Sequence, residues 1–263
     1  MTTPQTRLCA HHLTGMSYRD TDLVEDIIGK MSFTEVMIMQ ILGRRARAVD
    51  VRMVDAVLVT LMEHGLTPSA IATRLIYMSA PENLQGAVAA GLMAVGSQFV
   101  GTMENCSRLL DRIRQAPDGA AEALIIAREH RAARQALPGF GHHLHKPDDP
   151  RSIKLLALAE AEPELKGDAL RALRQLAAAI DEVYGKHITI NATGAVAALL
   201  SEIGVPTTLM RGFAVISRAA GLVSHVAEEQ QSPSGRFIWE TIDHAIPYVG
   251  AGQSHQQSAK ASS

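Results

Sequence analysis

The sequence predicts an all-α protein. Apolar residues recur three and four positions apart over 51–62, 84–95, 153–161 and 209–226, and no run alternates apolar and polar residues as a strand would. Helix starts and stops also punctuate the chain at short intervals. The first helix opens at Ser32 with Glu35 three residues on, a capping box in which hydroxyl and carboxylate satisfy N–H groups that a helix start leaves orphaned. The 43–49 break ends it ahead of the periodic run 51–62. Gly65 closes that run, and Thr67, Pro68 and Ser69 open another helix, since the missing N–H of a first-turn proline has no intrahelical partner to lose. The 79–83 break leads to 84–95. Breaks at 117–119, 137–150, 184–187, 204–206 and 232–235 divide the remainder, giving about a dozen helices with short connections.

The 263 residues make one large or two modest domains, and 47% hydrophobic content supports a sizeable core, which excludes disorder as the main state. Lys+Arg 25 against Asp+Glu 27 gives a net charge of -2, without the basic excess that nucleic-acid binding draws on. No nucleic-acid partner is expected; acidic small molecules remain possible through local basic sites. Cys9 and Cys106 lie far apart with no second Cys at ligand spacing, so neither a disulfide framework nor a zinc ribbon is expected and the compartment reads as reducing. Residues 1–14 lack a basic flank followed by an apolar run, and no apolar stretch approaches the ~20 residues of a membrane span. The expectation is a cytoplasmic protein with no membrane partner. Residues 1–17 and the Ser/Gln-rich 252–263 are expected to be flexible.

The long irregular segment is 137–151, LPGFGHHLHKPDDPR, whose three Pro and two Gly prevent helix while three His, a Lys and an Arg supply chemistry. Two readings of it stand side by side. His142, His143 and His145 could ligate a metal, but the pattern lacks a fourth ligand at a characteristic spacing, and no metal is expected. Alternatively, Gly139 and Gly141 let the backbone approach a ligand, with one His aimed at it and Lys146 and Arg151 nearby for phosphate or carboxylate.

GFGHHLHKPDDPR resembles the GFGH-to-DPR signature of the citrate synthases and citryl-CoA lyases. Four further segments resemble the same family in order: SFTEVMIMQILGR its N-terminal helix, MEHGLTPSAIATR its DHG-to-S-to-R segment, ITINATGAVAALLSEIGVP its NVDG segment, and VISRAAGLVSHVAEE its SRALG helix. The resemblance implies an all-α citrate synthase-like fold and a homodimer or dimer-based oligomer. Its large helical domain, 18–103 and 195–251, is interrupted by a smaller one, 104–194, with the active site in the cleft between them. It implies a coenzyme A thioester as substrate alongside di- or tricarboxylate ligands. His142 matches the histidine that works on the oxygen at the carbon where the C–C bond is made or broken, a base for a tertiary hydroxyl in cleavage. His64, Arg151 and Arg218 match residues that hold substrate carboxylates, and Asn191 opens the NVDG-like segment beside the substrate. Gly139, Phe140, Gly141 and Lys146 match the part of the loop that meets CoA.

Two departures bear on function. Phe99 stands where citrate synthases carry the histidine that stabilises the enolate oxygen; the lyase module of ATP-citrate lyase is similar to this chain in having phenylalanine there. Thr193 stands at the catalytic aspartate of NVDG, and a threonine hydroxyl cannot be a carboxylate-strength base near neutral pH. An arginine that many relatives place near Ser232 is also absent, with Arg236 a candidate substitute. The expected function is a CoA-thioester carbon–carbon lyase of the citryl-CoA lyase type. The alternatives are a non-catalytic or altered-activity homologue that binds CoA and carboxylates and, behind it, a citrate or methylcitrate synthase.

Overall fold

The computed structural model describes residues 3–96, 101–142 and 144–248; Phe99, His143 and the 252–263 tail lie outside them. The described chain is mainly helical, in the order α1 (Phe33–Leu42), α2 (Ala48–Met62), α3 (Pro68–Ser79), α4 (Leu84–Met93), α5 (Thr102–Gln115), α6 (Gly119–Ala133), α7 (Pro150–Glu160), α8 (Asp168–Tyr184), α9 (Ala192–Glu202), α10 (Met210–Gln231) and α11 (Gly235–Ala245). The Ser32–Glu35 capping box forms reciprocally, and Gly43 ends α1 in the left-handed conformation that glycine adopts without strain. No helix among the described residues is long and apolar enough to cross a membrane.

The N-terminus departs from the expectation of a chain without strands. Cys9–His12 (β1), Gly15–Tyr18 (β2) and Thr21–Asp22 (β3) form an antiparallel sheet in the order β1-β2-β3. Tyr18 pairs with Thr21, so Arg19 and Asp20 are the two-residue turn, and both have positive φ, as a type I′ hairpin requires. The usual glycine signal is missing; instead the Arg19 guanidinium donates twice to the Gln40 carbonyl, at 3.0 and 2.7 Å, and holds the turn on α1.

Contacts divide the chain into two compact units, Met1–Glu63 with Gly96–Ser217 and His64–Val95 with Arg218–Ser263. In the second unit, the Arg74 side chain, 3% exposed, gathers α3, α10 and α11. Its guanidinium donates to Glu229 at 2.8 Å, Ser234 Oγ at 3.1 Å, His225 Nδ1 at 3.0 Å and Glu228. Glu229 also accepts the N–H groups of Ser234 and Gly235 at the start of α11.

The core of the first unit is built on α9, where every residue from Gly194 to Leu200 is buried and α2, α5, α7 and α8 pack around it. A helix apolar on all sides is a central helix. Its N-terminus meets the 137–149 loop closely: a Cβ on Gly194 would collide with the Gly139 carbonyl, and one on Gly139 would lie 2.7 Å from Cys106 Sγ. Phe140 pairs with Ile190 in an isolated antiparallel bridge, flanked by Gly141 N–H to Thr189 O at 2.8 Å and Asn191 N–H to Gly139 O at 3.0 Å.

The fully buried Asp149 carboxylate fastens these parts. Oδ1 accepts from Arg151 N–H and Nε, each at 3.0 Å, and Oδ2 from Arg151 Nη2 at 2.8 Å and Ala192 N–H at 3.1 Å. One carboxylate thus caps α7 and touches the first turn of α9. Burial alone would raise its pKa; hydrogen bonds from the Arg151 side chain and backbone, the arginine's charge and the Ala192 N–H outweigh it, and the group titrates below its ordinary value.

Asp149→Asn should cost about 3 kcal/mol of stability, as when one partner of a largely buried ion pair is removed, read from urea unfolding at neutral pH. Because the native carboxyl value is depressed, its contribution is complete above the unfolded value and lost as pH falls through the folded one, so the gap to wild type should close in acid. Gly194→Ala should lower the unfolding midpoint by the equivalent of about 1–3 kcal/mol, since its methyl group has no room against Gly139.

Candidate active site

In the first unit the 137–149 loop and the N-terminus of α9 bring His142, Arg151, Asn191 and Thr193 into one neighbourhood. His142 is held by a tight turn: its Nδ1 accepts the N–H groups of Leu144 at 3.1 Å and His145 at 3.0 Å. Arg151 Nη2, a donor only, lies 3.3 Å from His142 Nε2, so N–H groups face both ring nitrogens. An oxygen atom entering here would meet the imidazole edge and the guanidinium together. The Asp149 ion pair fixes the arginine in this pose.

The His145 ring stacks on His142 with centroids 4.4 Å apart. Ligand atoms of His142, His145 and Asp149 lie within 4.8 Å of one another, a spacing open to a metal ion. Each Asp149 oxygen already accepts from two donors, however, and a metal would have to displace Arg151 or uncap α9. The donor set is therefore arranged for an ion pair rather than for coordination.

Asn191 caps α9 through Oδ1, which accepts Gly194 N–H at 3.1 Å, and its Nδ2 donates to the Gly141 carbonyl at 3.0 Å. Thr193 donates its one hydroxyl proton to Asn191 Oδ1 at 2.7 Å. Towards Thr102 Oγ1, 3.0 Å away on α5, it is then the acceptor. The Thr193 hydroxyl is thus part of the cap, beside the positive end of a buried helix dipole.

The glycines of the loop divide in role. Gly139, at φ 84°, is required by its close approach to Gly194 and Cys106, whereas a Cβ on Gly141, at φ 79°, would meet open space, as an opening for a ligand needs. Phe140 is buried in the core, so what it could offer a ligand is backbone, and Lys146 is exposed in the loop. Cys106 is buried, its thiol pushed up to about 12 by burial, which leaves it inert. His64, exposed between α2 and α3, and Arg218, half-buried on α10, belong to the second unit.

Asp149 and Thr102 were not singled out from the sequence. Asp149 had a readable signal, an Asp directly before a proline that opens a helix, the N-cap and N1 pattern. Thr102 had none, because its partner is 91 positions away.

Comparison with known proteins places this geometry. The family described as citrate synthase, C-terminal domain, matches residues 6–239. The structure of a citryl-CoA lyase from Hydrogenobacter thermophilus superposes with a TM-score of 0.83 at 29% identity, covering 99% of this chain and 100% of that one. An ATP citrate lyase from Methanothrix soehngenii in complex with citrate and coenzyme A shares the fold, with a TM-score of 0.78 at 18% identity over 98% of this chain and 43% of that one. A citrate synthase from Haloferax volcanii is 29% identical over 71% of this chain and 50% of its own length. The chain spans about half the length of the curated citrate synthases it matches. With the family matched across residues 6–239, the chain belongs to the citrate synthase family.

Proposed function

We propose that the chain is a coenzyme A thioester lyase that breaks a carbon–carbon bond beside a tertiary hydroxyl, taking citryl-CoA to acetyl-CoA plus oxaloacetate or acting on a related hydroxyacyl-CoA. The observation that carries this reading is the end-to-end correspondence in length and fold with a citryl-CoA lyase. The approach of the Arg151 guanidinium to His142 Nε2 supports it. As the bond opens, its electron pair passes into the thioester enolate, the hydroxyl proton passes to water and the hydroxyl oxygen becomes a carbonyl; the enolate carbon then takes a proton from water to give acetyl-CoA. His142 Nε2–H and Arg151 would hold that oxygen and stabilise its negative charge as the proton leaves.

A ring taking that proton at Nε2 would carry its first proton on Nδ1, against two backbone N–H groups. The turn therefore favours His142 as a donor to the oxygen over the base that the resemblance implied. His64 and Arg218 would hold carboxylates, and Gly141 with Lys146 would meet CoA. The working form would be a cytoplasmic homodimer.

A second reading is favoured by Thr193, whose hydroxyl proton is committed to the α9 cap. It is a homologue of altered or lost activity that still binds CoA and carboxylates. A citrate or methylcitrate synthase ranks behind both, because enolisation of the thioester methyl would need groups that Thr193 and Phe99 do not provide.

Incubation with citryl-CoA, with oxaloacetate and acetyl-CoA followed by mass spectrometry, should show cleavage that His142→Ala lowers about 10²- to 10³-fold, the usual loss when one donor to a developing oxyanion is removed. Thr193→Asp should raise the rate by about 10²-fold or more, because the carboxylate would supply general acid–base chemistry, accept from Thr102 and be favoured by the α9 dipole. A wild type and Thr193→Asp variant that bind CoA thioester yet leave citryl-CoA intact would decide for the binding reading.

A further inference from the structure

We infer that His187 is a positioning residue for the loop that carries His142: it bridges Asp148 of the loop to Asp181 of α8, tying the loop down when doubly protonated and slackening it when neutral. This stands on contacts within the first unit and does not depend on the proposed reaction.

His187 Nδ1 lies 2.7 Å from Asp181 Oδ2, and Nε2 lies 3.0 Å from Asp148 Oδ1. An imidazolium has two N–H groups and satisfies both carboxylates; a neutral ring has one. The proton that stays is the one on Nδ1, because its bond is the shorter and Asp181 is anchored independently, its Oδ1 accepting Ile188 N–H at 2.8 Å. Nε2 then presents a lone pair to Asp148, and attraction turns to repulsion. The other bond to that carboxylate is from Thr189 Oγ1 at a long 3.5 Å.

Asp148 immediately precedes Asp149, whose N–H donates to Thr189 Oγ1 at 3.0 Å. Slack at Asp148 therefore reaches the anchor that orients Arg151 and His142. The charged groups facing the ring are Asp181 from α8 and Asp148 from the loop, and Lys186 is its neighbour in the chain. Hydrogen bonding to Asp181, then to Asp148, raises the His187 pKa above its ordinary value. With the folded value raised, the tie is complete below about pH 6.5 and is lost as pH rises through the folded value. All three side chains are partly exposed, so the proton exchanges freely with solvent.

The test is an NMR titration of the full chain, reading the His187 ring and the exchange of backbone amides corrected for intrinsic pH dependence. His187 should titrate above an ordinary histidine. Protection of the Asp149 amide should fall about two- to fivefold between low and high pH, the range expected of an exposed ion pair. Asp148→Asn should lower the His187 value and flatten that pH dependence; His187→Gln, with one fixed donor, should hold the loop at its slack level throughout. An Asp148→Asn variant with the wild-type pH dependence at Asp149, or a His187 that titrates at the ordinary value, would overturn the inference.

Discussion

The Asp149 carboxylate is the point on which the first unit turns. It is fully buried, and burying a carboxylate is costly unless it is paired and hydrogen-bonded. The protein meets that requirement with a bidentate arginine and two helix N-termini, so neutralising one charge also fixes three elements relative to one another. The direction of α7, the seating of the loop against 189–191 and the pose of Arg151 toward His142 follow from it. A neighbourhood built this way is preorganised, since His142 is held by backbone N–H groups and Arg151 by the buried carboxylate.

α9 provides the other half of the arrangement. Because this helix is buried from Gly194 to Leu200, its N-terminal dipole acts in low dielectric, where a partial positive charge counts for more than at a surface. Asn191 and Thr193 sit on that end, and the Gly139–Gly194 approach brings the loop backbone against it. A family aspartate at 193 would be an anion in a place suited to one. The threonine found there turns its proton back into the helix cap.

Much of the fold was legible in the residues. Ser32 with Glu35, Pro68 at a helix start and Gly43 at a helix end are local signals, and local signals are satisfied within a turn or two of chain. The N-terminal sheet was not legible, because β1 and β2 are four residues each without alternation, and the Arg19–Asp20 turn owes its conformation to a carbonyl 21 positions away. His142, Arg151 and Asn191 were read as site residues from the loop composition and the family resemblance, and they do come together in the first unit. Thr102 and the Asp148 end of the His187 bridge were not, since their partners are 91 and 39 positions distant, and Asp149, though its N-cap pattern is local, owes its reach to Ala192 to a contact 43 positions away.

The sequence by itself determined the helical class, several helix starts and stops and the residue types available for chemistry, because periodicity, capping and breaking are properties of short stretches of chain. Tertiary structure alone decided which groups face the two nitrogens of His142, where the Arg151 fork is pinned and that the Thr193 proton is committed to Asn191. Those are statements about lone pairs and donors meeting across long separations. Only the packing of α7 and α9 around one buried carboxylate could settle them.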